Sequence, residues 1–268
     1  MSRIASRFAA LRARREKALV AFVTAGDPLP ARTADLVVAL AEGGADIVEL
    51  GIPFSDPLAD GPTIQASSQR ALDSGMTPPQ VLEIVRKVRT CSDVPLILMG
   101  AWNPVLQYGL ERFAADAVAA GVDGTIMTDL TPEESAVWKR TCEVAGLDTI
   151  FLLAPTSTHA RMALVGKLAT GFVYCVSRTG VTGVRDDVPA DLPPLVEAIR
   201  ARTEQPVCVG FGISRPAHVR AVARYADGVI VGTALVDFLH RERANPDLLA
   251  AARDFVAELK AATRPDAS

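Results

Sequence analysis

Aromatic residues and cysteines are scarce in this sequence of 268 residues. Phenylalanine, tryptophan and tyrosine together make up 5% of the chain, so a core must be built mainly from alanine, valine, leucine and isoleucine. The cysteines stand far apart, at Cys91, Cys142, Cys175 and Cys208. Without a C-x-x-C pair, this spacing argues against a disulfide framework and a cysteine-ligated zinc site, and it is typical of a reduced protein.

Histidines are equally few, at His159, His218 and His240. They lie in separate helix-like segments without a shared spacing, so we expect positions at the surface or at helix ends, and neither a metal site nor a nucleophilic triad. No lysine occupies a strand-like run, which argues against a Schiff-base enzyme. The Gly210-Phe211-Gly212 sequence lacks the third glycine and the following acid of a dinucleotide-binding fingerprint.

Strong positive charge and long apolar runs are also missing. The formal net charge is −3 at pH 7, which argues against a nucleic-acid partner. No run is long enough to cross a membrane. The first 17 residues carry five arginines interleaved with apolar residues at helical spacing, which predicts an amphipathic helix and not a signal peptide. We therefore expect a soluble, cytoplasmic protein.

Eight short apolar runs alternate with helical patterns along the chain. Near-continuous hydrophobicity is typical of parallel strands that are buried on both faces. Sequences such as Gly44-Ala45-Asp46 and Gly121-Val122-Asp123 precede several of the runs, and glycine commonly ends a helix. The alternation predicts a (β/α)8 barrel that forms one domain over residues 1–268, and an open doubly wound sheet is the alternative. The runs cover residues 19–24, 47–50, 96–99, 124–128, 149–153, 172–176, 207–211 and 229–231.

Helical periodicity is found at residues 33–41, 79–89, 132–145, 192–202 and 234–240. Two strand-to-helix connections are long, at residues 51–62 and 177–189. Both follow the carboxyl ends of strands, which is the face that carries active sites in such barrels. We expect the second connection to act as a lid over the site.

Two acids frame the first of these connections. Glu49 ends an apolar strand-like run and shares its face with Ile47, so we expect it at the top of the barrel interior. Burial there would raise its pKa and allow proton exchange near neutral pH. Asp60 closes the loop, whose glycines and prolines are incompatible with regular structure. This acid–loop–acid sequence predicts two carboxylates around one small substrate.

Glycines follow the last three strand-like runs, at Gly180 and Gly183, at Gly210 and Gly212, and at Gly232. Glycine allows backbone N–H groups to approach an anion closely. Gly232-Thr233 also precedes the short helical pattern at residues 234–240, and barrels of this type often bind phosphate at the start of such a helix. The three glycine-bearing loops predict a phosphate site.

The sequence from Glu49 to Pro62, ELGIPFSDPLADGP, resembles the signature of the tryptophan synthase alpha chain family. Further similar elements lie at residues 22–27, 129–134, 177–183 and 210–214, so the resemblance covers nearly the whole chain. It implies a (β/α)8 barrel and a lyase that cleaves indole-3-glycerol phosphate to indole and glyceraldehyde 3-phosphate in tryptophan biosynthesis. It also implies a partner beta chain that holds pyridoxal phosphate, usually in an α2β2 heterotetramer, and no cofactor in this chain.

The resemblance assigns roles to individual residues. It implies that Glu49 and Asp60 are catalytic and that Asp56 lies toward the beta chain. One departure is Ala101-Trp102 before Asn103-Pro104, where members often have two tyrosines; we expect it to affect pocket shape or partner contact. The implied contacts to the indole and glycerol parts of the substrate are Phe22, Met99, Ile126, Tyr174 and Thr182, and those to phosphate are Gly183, Phe211, Gly212, Gly232 and Thr233.

Three other functions remain open on the sequence. A different phosphate-binding barrel enzyme would leave the acid–loop–acid sequence unexplained. A regulatory subunit without chemistry would not need both Glu49 and Asp60. A stand-alone lyase that releases free indole would need the same residues as an alpha chain, and co-purification with a beta chain would separate these two.

Overall fold

A closed barrel of eight parallel strands forms the centre of the molecule, as seen in a computed structural model that describes residues 2–176, 191–210 and 212–264. Each strand pairs with the next one along the chain, and the last pairs with the first. The predicted (β/α)8 barrel is confirmed, and each predicted strand agrees with an observed one within about one residue at either end. The strands are β1 (Ala18–Thr24), β2 (Ile47–Gly51), β3 (Leu96–Gly100), β4 (Gly124–Met127), β5 (Asp148–Leu153), β6 (Val173–Val176), β7 (Val207–Gly210) and β8 (Gly228–Val231).

Helices surround the barrel. The described α-helices are α1 (Arg3–Ala13), α2 (Thr33–Glu42), α3 (Pro62–Asp73), α4 (Pro78–Arg89), α5 (Trp102–Tyr108), α6 (Leu110–Ala120), α7 (Ala136–Ala145), α8 (His159–Leu168), α9 (Leu192–Arg200), α10 (Pro216–Ala223), α11 (Thr233–Arg241) and α12 (Leu248–Ala261). Short 3₁₀ turns cover Pro30–Arg32 and Pro132–Glu134. The continuous helix predicted over residues 132–145 is wrong. Ser135 is buried and donates its hydroxyl to the Pro132 carbonyl at 2.8 Å, which favours a 3₁₀ turn before α7 begins.

Apolar side chains pack on both faces of the strands, inside the barrel and between the strands and the helices. Ile47, Ile97 and Ile126 belong to a cluster inside the barrel, whereas Val48 and Leu50 belong to the layer between the strands and the helices. Successive residues of β2 therefore point alternately inward and outward, as the strand period requires. Since Glu49 has the parity of Ile47, its side chain faces the barrel interior.

The N-terminal helix closes one end of the barrel. Ile4, Phe8 and Leu11 of α1 are buried and join the interior cluster. The Phe8 ring meets the ring of Phe172 edge-on, with centroids 6.1 Å apart. The amphipathic helix predicted for the first 17 residues is thereby confirmed. At the opposite end of the barrel, the carboxyl ends of the strands continue into the loops that lead to the helices.

Side-chain oxygens at the start of the even-numbered strands tie the strands together in pairs. In each pair an oxygen just before or at the start of the even strand accepts the backbone N–H at the start of the preceding odd strand. The aspartates of the glycine–x–aspartate repeat thus anchor the neighbouring strand, besides following a helix end. The bonds are Leu19 N to Asp46, Leu96 N to Asp123, Thr149 N to Thr170 and Val207 N to Asp227, at 2.8, 2.8, 2.8 and 3.0 Å.

No helix in the described ranges is long and apolar enough to cross a membrane. The assignment of residues 1–268 to one domain stays a prediction.

Candidate active site

Glu49 lies at the top of the barrel interior, where sequence parity predicts it. It pairs in register with Phe22 on β1 and Ile97 on β3, and its side chain is 0% exposed. Neither carboxyl oxygen has a hydrogen-bond partner among the described residues. A buried, unpaired carboxyl group is costly when ionised, because neither water nor a counter-charge stabilises the anion.

Burial raises the pKa of Glu49 from 4.5 to about 8. The cause is desolvation of the carboxylate. At neutral pH the group therefore holds its proton, and it can give that proton to a substrate and take another back. Perturbed carboxyl groups of this kind are characteristic of general acid–base sites.

The second acid lies on the connection between β2 and α3, which we call the acid loop (residues 52–61). Asp60 is half-buried near the end of this loop, and desolvation raises its pKa from 3.8 to about 6. Its carboxyl group is therefore mostly ionised at pH 7, when Glu49 is mostly protonated. Two carboxyl groups with separated pKa values can divide the roles of acid and anionic stabiliser between them.

The acid loop covers a cavity of about 250 Å³ at the carboxyl ends of the strands. Phe22, Met99, Asp56 and Asp60 all line this cavity. Gly51 makes room for one of these walls, because a Cβ there would lie 2.7 Å from the Phe22 ring. Residues from β1, from β3 and from the acid loop, which were all expected at the site, thus line the same cavity.

Ile126 and Tyr174 belong to the interior cluster and are not among the residues that line the cavity. Ile126 is next to Met99 in the register of β3 and β4. Burial, followed by the charge of Glu49, raises the pKa of Tyr174 well above its usual value of 10, and Asp60 adds to this effect. The phenol therefore stays neutral. Because the charges of Glu49 and Asp60 both affect its pKa, Tyr174 lies near both acids.

Gly232 and Thr233 lie at the N-terminus of α11, the helix that follows β8. A Cβ at Gly232 would lie 3.5 Å from the Phe22 Cβ, which places this helix start beside the cavity wall. Gly212 has a φ of +77°, and no described residue lies within 4 Å of the place where its side chain would project. Of the other predicted contacts, Thr182, Gly183 and Phe211 fall outside the described residues, as does the connection at residues 177–189 that was expected to be a lid.

The histidines lie at helix ends, as predicted: His159 begins α8, His218 lies in the first turn of α10 and His240 lies in the last turn of α11. At its helix end His218 is nevertheless buried. Its Nε2 accepts from Arg215 Nε at 2.9 Å, and its Nδ1 lies 3.4 Å from the Ser214 hydroxyl. These polar partners make burial of an imidazole acceptable. Among the described residues, no group of three or more His, Cys, Asp or Glu could hold a metal ion.

Comparison with known proteins identifies the family of the chain. The family description "Tryptophan synthase alpha chain" matches residues 8–264. A tryptophan synthase alpha chain from Geobacter sulfurreducens is 58% identical over 90% of this chain and 91% of that protein, and one from Solibacter usitatus is 50% identical over 97% of both. The chain belongs to the tryptophan synthase alpha chain family.

Solved structures agree with this membership. The alpha chain of tryptophan synthase from Legionella pneumophila superposes with a TM-score of 0.90 at 39% identity, over 98% of this chain and 97% of that one. A chain of tryptophan synthase from Mycobacterium tuberculosis gives 0.89 at 39% identity, over 98% and 99%. The protein is thus an enzyme subunit whose activity is the alpha reaction of tryptophan biosynthesis, and members of this family function in a complex with a beta subunit.

The residues that were expected to depart from the family pattern, Ala101 and Trp102, have different surroundings. Ala101 lines the cavity with a small side chain. The Trp102 ring packs edge-on against Trp138 of α7, with centroids 5.8 Å apart, and its backbone N–H donates to Asp129 at 2.6 Å. The departure therefore changes the cavity wall at Ala101, while Trp102 packs against a surrounding helix.

Two features of this alpha chain were not predicted from its sequence. Thr24 lines the cavity with a buried hydroxyl that has no partner among the described residues. Its parity with Phe22 on β1 is a signal that could have identified it. Asp27 binds Ser67 and Arg70 of α3 in a buried cluster, and no sequence pattern connects residues so far apart.

Proposed function

We propose that Glu49 and Asp60 carry out the alpha reaction as an acid–base pair that cleaves indole-3-glycerol phosphate. The observation that carries this proposal is the buried carboxyl group of Glu49, which has no partner in the described chain and whose register neighbour Phe22 lines the same cavity as Asp60. The family membership favours the same substrate. Nothing in the site or among the relatives favours a stand-alone lyase.

Glu49 begins the reaction in its protonated form. It gives its proton to C3 of the indole ring, and the resulting carboxylate then takes the proton of the hydroxyl group on the adjacent glycerol carbon. The bond from C3 to that carbon breaks, its electron pair returns to the ring, and the hydroxyl carbon becomes the aldehyde of glyceraldehyde 3-phosphate. Protons balance, because Glu49 ends protonated. A pKa of about 8 suits both transfers near neutral pH.

Asp60 acts on the other side of the indole. Protonation at C3 places positive charge on the ring nitrogen, and an ionised carboxylate that accepts from the indole N–H stabilises that charge. The pKa of about 6 keeps Asp60 ionised at neutral pH. Phe22 and Met99 supply apolar walls for the ring, with Ile126, Tyr174 and Thr182 proposed as the remaining substrate contacts.

The phosphate end of the substrate is proposed to bind at the loops after β6, β7 and β8. Gly232 and Thr233 present backbone N–H groups at the start of α11, where the helix dipole favours an anion. Gly212 is open to a ligand, and Gly183 and Phe211 complete the proposed set. Binding energy from the phosphate would orient the reacting carbons without taking part in bond cleavage.

The partner is proposed to be a tryptophan synthase beta chain in an α2β2 heterotetramer in the cytoplasm. Asp56 and Leu58 of the acid loop are exposed, and Leu58 is 93% exposed although it is apolar. Both residues line the cavity, so a partner that binds there would contact the loop that carries Asp60. Pyridoxal phosphate would reside in the beta chain, and the proton transfers above require no cofactor in this chain.

Indole release from indole-3-glycerol phosphate tests the proposed function. We expect cleavage by this chain, faster when a beta chain is present, with a bell-shaped dependence of kcat on pH. The acidic limb should fall near 6, where Asp60 loses its charge, and the alkaline limb near 8, where Glu49 loses its proton. The constant kcat reports the two acids in the substrate complex, and it is used because the phosphate of the free substrate also titrates near pH 6 and affects kcat/KM.

Two results would count against this assignment. No indole from the substrate, with or without a beta chain, would contradict the reaction. A kcat that stays constant from pH 5 to pH 9, given that the assay measures the chemical step in single-turnover mode, would contradict the roles of the two acids.

Gly212→Asp should weaken the binding of glycerol 3-phosphate by roughly 100-fold, because like charges that face each other across a site cost several kcal/mol. The new side chain meets no described residue within 4 Å, so repulsion is the expected cause. Gly212→Asn is the matched control, since asparagine has the same shape without charge and also tolerates a positive φ. Calorimetry that gives equal affinities for the two variants would move the phosphate away from Gly212.

A further inference from the structure

We propose that Gln65 is a positioning residue for Asp60, whose backbone it holds so that the carboxylate stays over the cavity. The inference rests on the proposed role of Asp60. Gln65 lies in the first turns of α3, and its side-chain Nε2 donates to the Asp60 carbonyl at 2.8 Å. The same group lies 3.5 Å from the Pro57 carbonyl, which in turn accepts the Asp60 backbone N–H at 3.0 Å. One amide thus contacts both ends of the turn that carries Asp60.

Few other interactions hold the acid loop in place. Between residues 53 and 60, the remaining hydrogen bonds in the described chain are local, from Leu58 N to the Asp56 carbonyl and from the Ser55 hydroxyl to Asp56. Neither Asp56 nor Asp60 has an ion-pair partner among the described residues. Gln65 is therefore the polar connection between this segment and regular structure in the part of the chain that the structure describes.

The helix that carries Gln65 is itself fixed to the barrel. Asp27, which follows β1, accepts from Ser67 Oγ at 2.8 Å and from Arg70 Nε and Nη2 at 2.7 and 2.8 Å. Asp27 is 4% exposed while Arg70 is partly exposed, and a bidentate ion pair has a well-defined geometry. Connected contacts therefore lead from the end of β1 through α3 to Gln65 and the Asp60 backbone.

A loosened loop should affect the reaction more than the fold. Gln65 is exposed, so its loss removes one surface contact and leaves the core unchanged. Small displacements of a catalytic group can still lower the rate by up to about 100-fold. A more mobile Asp60 would also be better hydrated, and hydration would bring its raised pKa back toward 3.8.

Gln65→Ala tests the inference, with Gln69→Ala as the matched control. Gln69 lies one helical turn further along the same face, is also exposed, and bonds to Asp73 instead of the acid loop. With the full chain in the presence of a beta chain, Gln65→Ala should lower kcat roughly tenfold, while KM for indole-3-glycerol phosphate changes by less than about twofold. Gln69→Ala should behave as the unmodified chain, and both variants should unfold within about 3 °C of it.

The pH dependence of kcat separates positioning from a merely structural effect. The acidic limb should move to lower pH in Gln65→Ala and stay in place in Gln69→Ala. Among the described residues, the titratable groups nearest Asp60 are Glu49 and Tyr174 from the interior, Asp56 from the loop and Asp129 from the cavity rim. None of these is altered in either variant, so a shift of the limb reports on Asp60.

The outcomes distinguish this inference from the proposed function. If Gln65→Ala equals Gln69→Ala in kcat, or if it loses rate without any movement of the acidic limb, Gln65 does not position Asp60. Asp60→Asn is measured alongside. Full turnover in Asp60→Asn overturns the proposed function and this inference together, whereas an inactive Asp60→Asn beside a normal Gln65→Ala overturns this inference alone.

Discussion

Glu49→Gln should lower kcat for cleavage of indole-3-glycerol phosphate by at least about 1000-fold, because one group makes two proton transfers and each is typically worth a factor of 10² to 10⁴. Glutamine has the shape of the protonated acid but can neither give up a proton to C3 nor remove one from the hydroxyl group. KM should change little, since the amide still fits the same space. Steady-state indole release, with single-turnover measurements for the slow variant, provides the numbers.

Stability provides the control for this variant. The native state favours the protonated form of Glu49, whose pKa is about 8 when folded and 4.5 as an ordinary value. Ionisation in the unfolded chain therefore destabilises the native protein progressively from pH 4.5 to pH 8, and below pH 4.5 the effect is absent. Glu49→Gln should be at least as stable as the unmodified chain at pH 8. Glu83→Gln, at an exposed position of α4, should keep full activity.

Asp60→Asn should lower kcat by roughly 100-fold or more, because the asparagine side chain has no negative charge to stabilise the protonated indole ring. The residual activity should no longer fall below pH 6, since the group responsible for the acidic limb has been removed. The alkaline limb near 8 should remain, because Glu49 is unchanged. A full pH profile of kcat for this variant therefore measures two effects at once.

An exposed acid serves as the comparison for Asp60→Asn. Asp73 ends α3 and bonds to Gln69 on the surface, so Asp73→Asn removes a negative charge without reaching the cavity. It should keep both the rate and the two limbs. An Asp60→Asn variant that retains the acidic limb near 6 would assign that limb to another group, and unchanged turnover would remove Asp60 from the reaction.

The strands could be predicted from sequence because their burial on both faces produces apolar runs that need no tertiary context. The helix α3 could not, and its composition explains why. Its buried face consists of Ser67, Ser68 and Ala71, which are small or polar and produce no apolar period. The helix over residues 132–145 failed for a related reason, because the buried hydroxyl of Ser135 bonds to a nearby carbonyl and interrupts the pattern.

The candidate active site was also predicted only in part. Glu49 could be placed in the barrel interior because strand parity relates it to Ile47, and Asp60 because its loop is too rich in glycine and proline for regular structure. The contacts that hold these acids in place could not be predicted from the sequence. Asp27 meets Arg70 across 43 positions of sequence, and Gln65 reaches back to a backbone carbonyl, which leaves no mark in the side-chain pattern. Ala101 at the cavity wall was noticed only as a departure from the family pattern.

The most direct test of the account is the titration of the Glu49 carboxyl group itself. ¹³C NMR of the full chain labelled at the glutamate side-chain carboxyl carbons, with Glu49 assigned by its absence in Glu49→Gln, reports the protonation of this one group. We expect a midpoint near 8, which means a carboxyl group that is protonated and ready to act as an acid at neutral pH. A midpoint near the ordinary value of 4.5 would show a carboxylate without a proton to give, and would contradict the proposed mechanism.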